Sequence, residues 1–373
     1  MRAIIALSLA ASLVSGCLFA TSANDAECRT PASTSKLVRE IAAASSEVCA
    51  LYTDGTVSCM RARYAAAPTR VNITAPTTFD HIAAGASFAC GWRDDGQAFC
   101  WGNSDSGRLG RGVIDGSSPV IVDTAAPVLG LARVRGMGLG GTHACAFEEG
   151  GATSCWGSNF WAQLGTGDTA DRYAPATNLH VASSTSLALT SQDSCALQSN
   201  GDVRCWGRAI AANVGRGFYV EDSGPAAVVL KRARQLSAGS ERACALDMDG
   251  AVWCWDLNPA ANAGNDSTRR PTRVQGIPRM RSMDVGDWRT ACGVTELGAV
   301  WCWGFQSTAS DPTPRPVDGL TDVTQLALGD YYACALRTDG KVLCWQNDPV
   351  GSSLYPAACT GSSSAPTPRD AGF

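Results

Sequence analysis

The chain has 373 residues, 45% of them hydrophobic and 17% charged, with a formal net charge of −4 and no run of Lys and Arg. That balance excludes nucleic acid as the main partner, because phosphate binding needs a basic surface. The length suits one large closed domain or two ordinary ones, and the 17 cysteines require an oxidising compartment or metal sites.

The N-terminus is read first. Arg2 precedes an apolar stretch from Ala3 to Val14, then Ser15, Gly16 and Cys17. A positive start, a short apolar run and small residues form a secretory signal, expected over residues 1–16. The run is too short for an ordinary membrane-spanning helix. Val14-Ser15-Gly16-Cys17 resembles the bacterial lipobox, in which cleavage leaves a lipid-bearing Cys. Cys17 is therefore the expected lipidation site, and a plain signal peptide with an incidental Cys is the alternative. Leu18, in place of Asp, points to the outer membrane or cell surface. The expected order is a lipid-anchored tether over 17–36, a repeat domain over 37–358 and a flexible tail over 359–373. No later segment is apolar enough to span a bilayer, so lipid is the expected membrane contact.

Seven copies of one pattern follow. Cys49/Cys59, Cys90/Cys100, Cys145/Cys155, Cys195/Cys205, Cys244/Cys254, Cys292/Cys302 and Cys334/Cys344 each stand ten positions apart. Successive copies begin 41 to 55 residues apart. A Gly lies four positions before each second Cys, from Gly55 to Gly340, and Trp follows that Cys in six copies; Met60 replaces it in the first. Thr53-Asp54-Gly55 reads as a three-residue hairpin loop that ends on a left-handed Gly. Counting back from it pairs Leu51 with Val57, Ala50 with Ser58 and Cys49 with Cys59. The Cys pair then falls on a non-hydrogen-bonded site, with Cα atoms about 4.5 Å apart. This lies at the short end of the disulfide range.

The strand faces differ. Leu51/Val57, Trp92/Ala98, Leu197/Val203 and their equivalents share the Cys face. The residue after each first Cys lies on the other face and is always Ala or Gly. One bulky and one small face suit sheets stacked about an axis. Each hairpin follows a β-like stretch such as His81–Gly85. Each of the first six precedes a loop that usually holds Pro and an apolar residue, giving about four strands per copy. The expected fold is all-β: a seven-bladed propeller of four-stranded antiparallel blades, one disulfide per blade. Helical Cys-x9-Cys hairpins are disfavoured by Gly and β-branched residues in the spacers. Zinc is disfavoured because the chain lacks Cys-x2-Cys spacing and has three His. Cys28 and Cys359 flank the repeats, and a bond between them would staple the ring closure.

The copies resemble repeats of the regulator of chromosome condensation family. Gly140-Gly-Thr-His143, Cys155-Trp-Gly-Ser-Asn159 and Ala162-Gln-Leu-Gly165 carry the resemblance best, with Trp101-Gly-Asn103 and Gly107-Arg-Leu-Gly110. Asn213-Val-Gly215 is a weaker copy. The resemblance spans about residues 37–346 and implies the propeller. The paired Cys depart from the family's eukaryotic pattern. The family includes a nucleotide-exchange factor for a nuclear small GTPase and exported bacterial inhibitors of β-lactamase, so the fold leaves the function open. The resemblance also implies that His143 is a turn residue.

The turn before each Cys strand is expected on one rim. Phe88, Trp288, Arg289, Tyr331 and Tyr332 are the expected partner-binding residues there, since Trp, Tyr and Arg anchor protein interfaces. Rim packing is the alternative. Phe160 and Trp161 stand in an inter-strand loop that places them on the rim or over their own blade. No nucleophile elbow, phosphate loop, His-Glu-x-x-His or EF-hand loop is present. No catalytic residue, metal or cofactor is expected. The expected role is that of a monomeric, non-enzymatic scaffold for an unknown protein partner at the cell envelope. An envelope enzyme or enzyme inhibitor is the alternative.

Overall fold

Each nine-residue spacer folds as the hairpin its glycine demands. In a computed structural model, Gly55 has φ +79° and the six equivalent glycines lie between +77° and +91°. This is the left-handed region that strains a side chain. Tyr52 N–H donates to the Thr56 carbonyl at 2.9 Å. From there Leu51 pairs with Val57, Ala50 with Ser58 and Cys49 with Cys59. The same register recurs in the other six copies. All seven expected disulfides are present: Cys49–Cys59, Cys90–Cys100, Cys145–Cys155, Cys195–Cys205, Cys244–Cys254, Cys292–Cys302 and Cys334–Cys344. Their Cα separations are 4.0–4.1 Å. These are close to a non-hydrogen-bonded pair and just under the usual disulfide minimum of about 4.4 Å.

The structure describes residues 36–45, 47–63, 66–112, 121–208, 227–257, 270–286, 290–304, 313–330, 332–346 and 368–371. They form seven four-stranded antiparallel sheets. In blade 1 the strands are Val38–Ala44, Glu47–Tyr52, Val57–Arg63 and Ala66–Asn72. The inner strands of blades 2 to 7 are His81–Ala84, Val134–Leu139, Ser184–Leu189, Ala233–Ala238, Met280–Val285 and Val323–Leu328. Each inner strand packs on the next, and the seventh on the first, which closes the ring.

The two faces meet as their sizes require. The disulfide and bulky pair of one blade pack against the small face of the next. Cys90, Trp92 and Cys100 meet Ala144, Ala146 and Trp156; Cys195, Leu197 and Cys205 meet Ala243, Ala245 and Trp255. The recurring Trp therefore covers the disulfide of the preceding blade. The six Trp are 0–3% exposed. At the closing seam, Cys334, Leu336 and Cys344 instead meet Ile41, Val48, Ala50 and Tyr52.

The repeat pattern predicts seven equivalent bonds, and the structure differs at Cys254, Cys302 and Cys344. All three form their expected disulfides, but the outer strand beside each is only two residues long, Arg369–Asp370 in the case of Cys344. Cys254 pairs there with Thr272 of Thr272–Arg273, and Cys302 with Arg315 of Arg315–Pro316. Cys302 keeps its cover, since Trp345 of blade 7 packs in the same core. Cys254 is only partly buried, although Trp303 of blade 6 packs beside it, whereas the other 13 bonded cysteines are at most 8% exposed. Thr272 and Arg273 are both exposed, but so are Arg315 and Pro316 beside buried Cys302, so the short edge alone does not set the exposure of Cys254.

One boundary differs from expectation. Part of the segment expected as a flexible tail, Arg369–Asp370, is the fourth strand of blade 7. Ala371 N–H bonds the Val342 carbonyl at 2.9 Å, and the residue packs into the closing core. A strand of two charged residues carries no alternating pattern, so it left no local signal. Cys17, Cys28 and Cys359 lie outside the described residues.

Candidate functional site

The inner strands turn into the Cys strands at one rim. An axial cup of about 480 Å³ reaches this rim at Ser45, Ala86, Gly141, Ser191 and Asp330. The rim and the cup form the candidate site.

The sequence places the turn before each Cys strand on this rim and offers Phe88 there as a partner-binding residue, with rim packing as the alternative. The structure corrects that reading for Phe88, which is 1% exposed. Its ring folds back over Gly85, where an added Cβ would lie 2.7 Å from Phe88 Cε1. Gly102 opposite it has φ +107°, and a Cβ there would meet the Phe88 backbone at 2.6 Å. His143 repeats the arrangement over Gly140 and is fully buried. Tyr332 lies over Gly329 and is half-buried. The signal is a Gly three positions before the ring, in Gly85–Phe88, Gly140–His143 and Gly329–Tyr332. In blades 1 and 5 the same position carries a charge that pairs across the strands. Arg61 Nε meets Glu47 Oε1 at 3.0 Å, and Arg242 Nε meets Asp256 Oδ1 at 2.9 Å. Burial raises the Glu47 carboxyl, against the pull of Arg61. Trp288, Arg289 and Tyr331 lie outside the described residues.

The aromatic surface that does project belongs to the loop after the third strand of blade 3. Asn159, fully buried, organises that loop. Its Nδ2 donates to the Asp168 carbonyl at 2.8 Å, and its Oδ1 accepts the Leu164 N–H at 2.9 Å. Phe160 is then 62% exposed. Its ring meets Trp161 edge-on, with centroids 4.8 Å apart. The Arg208 guanidinium of blade 4 lies 4.6 Å over the Trp161 ring, a cation–π contact. Arg208 also donates to Gln192 Oε1 in the rim turn of blade 4. Trp161 thus leans on the next blade and not on its own.

Buried polar groups lie beneath this surface. His143 Nε2 and Ser194 Oγ are 2.8 Å apart, and Ser194 Oγ donates to the Gln163 carbonyl at 2.7 Å. Burial lowers His143 to about 3, so it is neutral. Three acidic residues, Glu241, Asp284 and Asp330, line the cup. Burial raises Asp284 to about 6. Among the described residues, the only group of three His, Cys, Asp or Glu near enough to share a metal is Glu47, Cys49 and Cys59. Both of those sulfurs are bound in a disulfide, so that group is not a metal site.

Comparison with known proteins fits this geometry. The repeat model described as "Regulator of chromosome condensation (RCC1) repeat" matches residues 79–108 and 323–345, in blades 2 and 7. A stretch is 28% identical over 123 residues to a probable E3 ubiquitin-protein ligase, HERC4 of Rattus norvegicus, covering 32% of this chain and 11% of that protein. Another is 32% identical over 95 residues to the ultraviolet-B receptor UVR8 of Arabidopsis thaliana, covering 25% of this chain and 21% of that one. Human WBSCR16 superposes with a TM-score of 0.64 at 16% identity, covering 81% of this chain and 84% of its own. Prp20p of Saccharomyces cerevisiae, whose structure is described with its binding to Gsp1p and histones, gives 0.61 at 17% identity, covering 79% and 77%. The chain thus matches the regulator of chromosome condensation repeat in blades 2 and 7, within a seven-bladed propeller that carries one hairpin disulfide in every blade.

Proposed function

We propose that this chain is a non-enzymatic scaffold that binds a protein through the open rim while a lipid on Cys17 holds it at the outer membrane or cell surface. The exposed Phe160, fixed beside Trp161 and Arg208, carries this reading. Solvent-exposed aromatics on a rigid loop lose little entropy on binding, and Trp and Arg are frequent interface anchors. That Prp20p binds protein partners supports the reading. Half-buried Tyr332 extends the proposed surface toward blade 7.

Site-specific photocrosslinking in cells expressing the full chain tests it. A crosslinker at position 160 should capture a discrete partner. One at Leu297, in a hairpin turn at the opposite rim and 94% exposed, should not. Equal products from both positions, or none from position 160, would overturn the rim reading. A Cys17→Ser arm tests the tether: the crosslinked species should leave the membrane fraction.

A further inference from the structure

Each inner strand places one residue opposite the first Cys of its blade. These are Ala42, Ala83, Gly138, Ala188, Ser237, Asp284 and Ala327. Six are Ala, Gly or Ser, and four blades show that Ala suffices for packing. Asp284 places a carboxylate in the wall of the 480 Å³ cup, where desolvation penalises its charge. Two neighbours hold it in place. Ser237 Oγ of blade 5 donates to Oδ1 at 2.7 Å, and Leu328 N–H of blade 7 donates to Oδ2 at 2.9 Å. A carboxylate oxygen accepts two hydrogen bonds, so the carboxylate keeps capacity for a further donor. The cup is lined by small residues, Ala83, Ala84, Gly138 and Ala188 among them, together with polar groups such as Thr190, Ser191 and Gln235. Among the described lining residues there is no Lys, Arg or His.

We infer that the axial cup binds a slender organic cation, an ammonium or guanidinium, with its charge against Asp284. The volume falls within the range of about 300–1,000 Å³ typical of small-ligand sites. The small side chains of the lining leave room for a slender stem, and the oriented carboxylate fits the head group. A free amine and a Lys or Arg side chain on another protein's loop share this chemistry. The inference stands independently of the rim reading, since a cation could occupy the cup whatever the aromatic loop does.

The pH dependence follows from the same group. Burial raises Asp284 to about 6, while Ser237 Oγ and the Leu328 and Val285 N–H groups pull it down. The groups from blades 5 and 7 that touch it are uncharged. Glu241 and Asp330 are the other titratable groups of the cup. Cation binding should weaken as pH falls through about 6.

Titration calorimetry on the mature chain tests the inference with three probes: cadaverine, acetyl-Gly-Arg-Gly-amide and its citrulline counterpart. At pH 7.5 the Arg peptide, the diamine or both should bind at least tenfold more tightly than the citrulline peptide. Preference for the peptide identifies a side-chain site. Preference for cadaverine identifies a free-amine site, and equal binding of the two identifies a site for the charge itself. Asp284→Asn, which keeps the shape and an acceptor for Ser237, should abolish the preference. At pH 5 the unaltered chain should lose it about tenfold, which tests the idea even if the variant fails to fold. Equal affinity for the charged and citrulline probes, no binding by any probe, or an unchanged preference in Asp284→Asn or at pH 5 would overturn it.

Discussion

The seam between blades 3 and 4 and the seam that closes the ring between blades 7 and 1 do the same work with different groups. At the first, buried Trp206 covers the Cys145–Cys155 disulfide and donates from Nε1 to the Gln163 carbonyl at 2.8 Å. Gly138 lets Leu187 and Leu189 close in; a Cβ there would lie 2.7 Å from Leu189 Cδ1. At the second, the Trp position holds partly exposed Met60. The contact is an amide stitch: Gln325 Oε1 accepts the Ile41 N–H at 2.9 Å, and its Nε2 donates to the Ile41 carbonyl at 2.8 Å. The difference is physical. Blades 3 and 4 adjoin along the chain, so a loop from one reaches into the other. Blades 7 and 1 lie at opposite ends of the repeat domain, and no connecting loop joins them directly. Their seam draws on apolar packing, the Gln325 stitch and the Asp330 N–H to Ser45 carbonyl bond of 2.9 Å.

Acid should open the first seam before the second. His143 is held near 3 in the fold, against about 6.5 when unfolded. Between these values the unfolded chain binds more protons, so this stability is present above the unfolded value and is lost as pH falls toward 3. The loss is on the order of 5 kcal/mol. Asp284 has the opposite sign, since its raised value makes stability fall as pH rises from about 4 to about 6. His143→Phe copies Phe88 in blade 2 and should flatten the acid limb in denaturant melts run from pH 7 to pH 3. An undiminished slope would refute the assignment.

Truncation should separate the seams at neutral pH. Trp206→Ala removes a buried ring and one donor to Gln163, costing about 3–5 kcal/mol. Met60→Ala removes a partly exposed side chain and should cost about 1 kcal/mol. Urea unfolding with the disulfides intact measures both. Equal losses would show that the closing seam depends on packing at Met60 as much as the other depends on Trp206.

How much of this was legible follows from the range of each interaction. Cys49–Cys59 and its register rest on period two and one left-handed Gly, all within eleven residues, and a sequence states such rules locally. The partial cover of Cys254 comes from Trp303 of the next blade and the edge at Thr272–Arg273, both outside its hairpin. Trp206 is visible as a repeated residue. Its contact with Cys155 of the previous blade is not, because no local rule reaches 51 positions back. Alternation places Phe88 on the rim, but Gly85 frees the space into which the ring turns. Asp284 stands out only when seven inner strands are aligned by register. The rim loop is ambiguous in sequence because Phe160 and Trp161 are equally hydrophobic. Arg208, 47 residues beyond Trp161, decides that Trp161 packs on blade 4 while Phe160 stays exposed.

A similarly small effect tests the stitch itself. Gln325→Met keeps length and loses the Ile41 bonds, with water in reach along the axis, so the cost should be about 1–2 kcal/mol. Gln235 makes the same pair of bonds to the Met283 N–H and carbonyl at 3.1 and 2.7 Å, between blades 5 and 6. Gln235→Met should therefore cost as much at equilibrium. The chain connects blades 5 and 6 but not 7 and 1, and in a repeat ring each interface adds its own term. Only Gln325→Met should therefore loosen the ring without unfolding a blade. Amide hydrogen exchange would then speed up at Ile41 and at neighbouring sites of blades 7 and 1, while blades 5 and 6 stay protected. If both variants open the ring at blades 7 and 1, closure is limited by the whole circle and the Gln325 stitch has no special part in it.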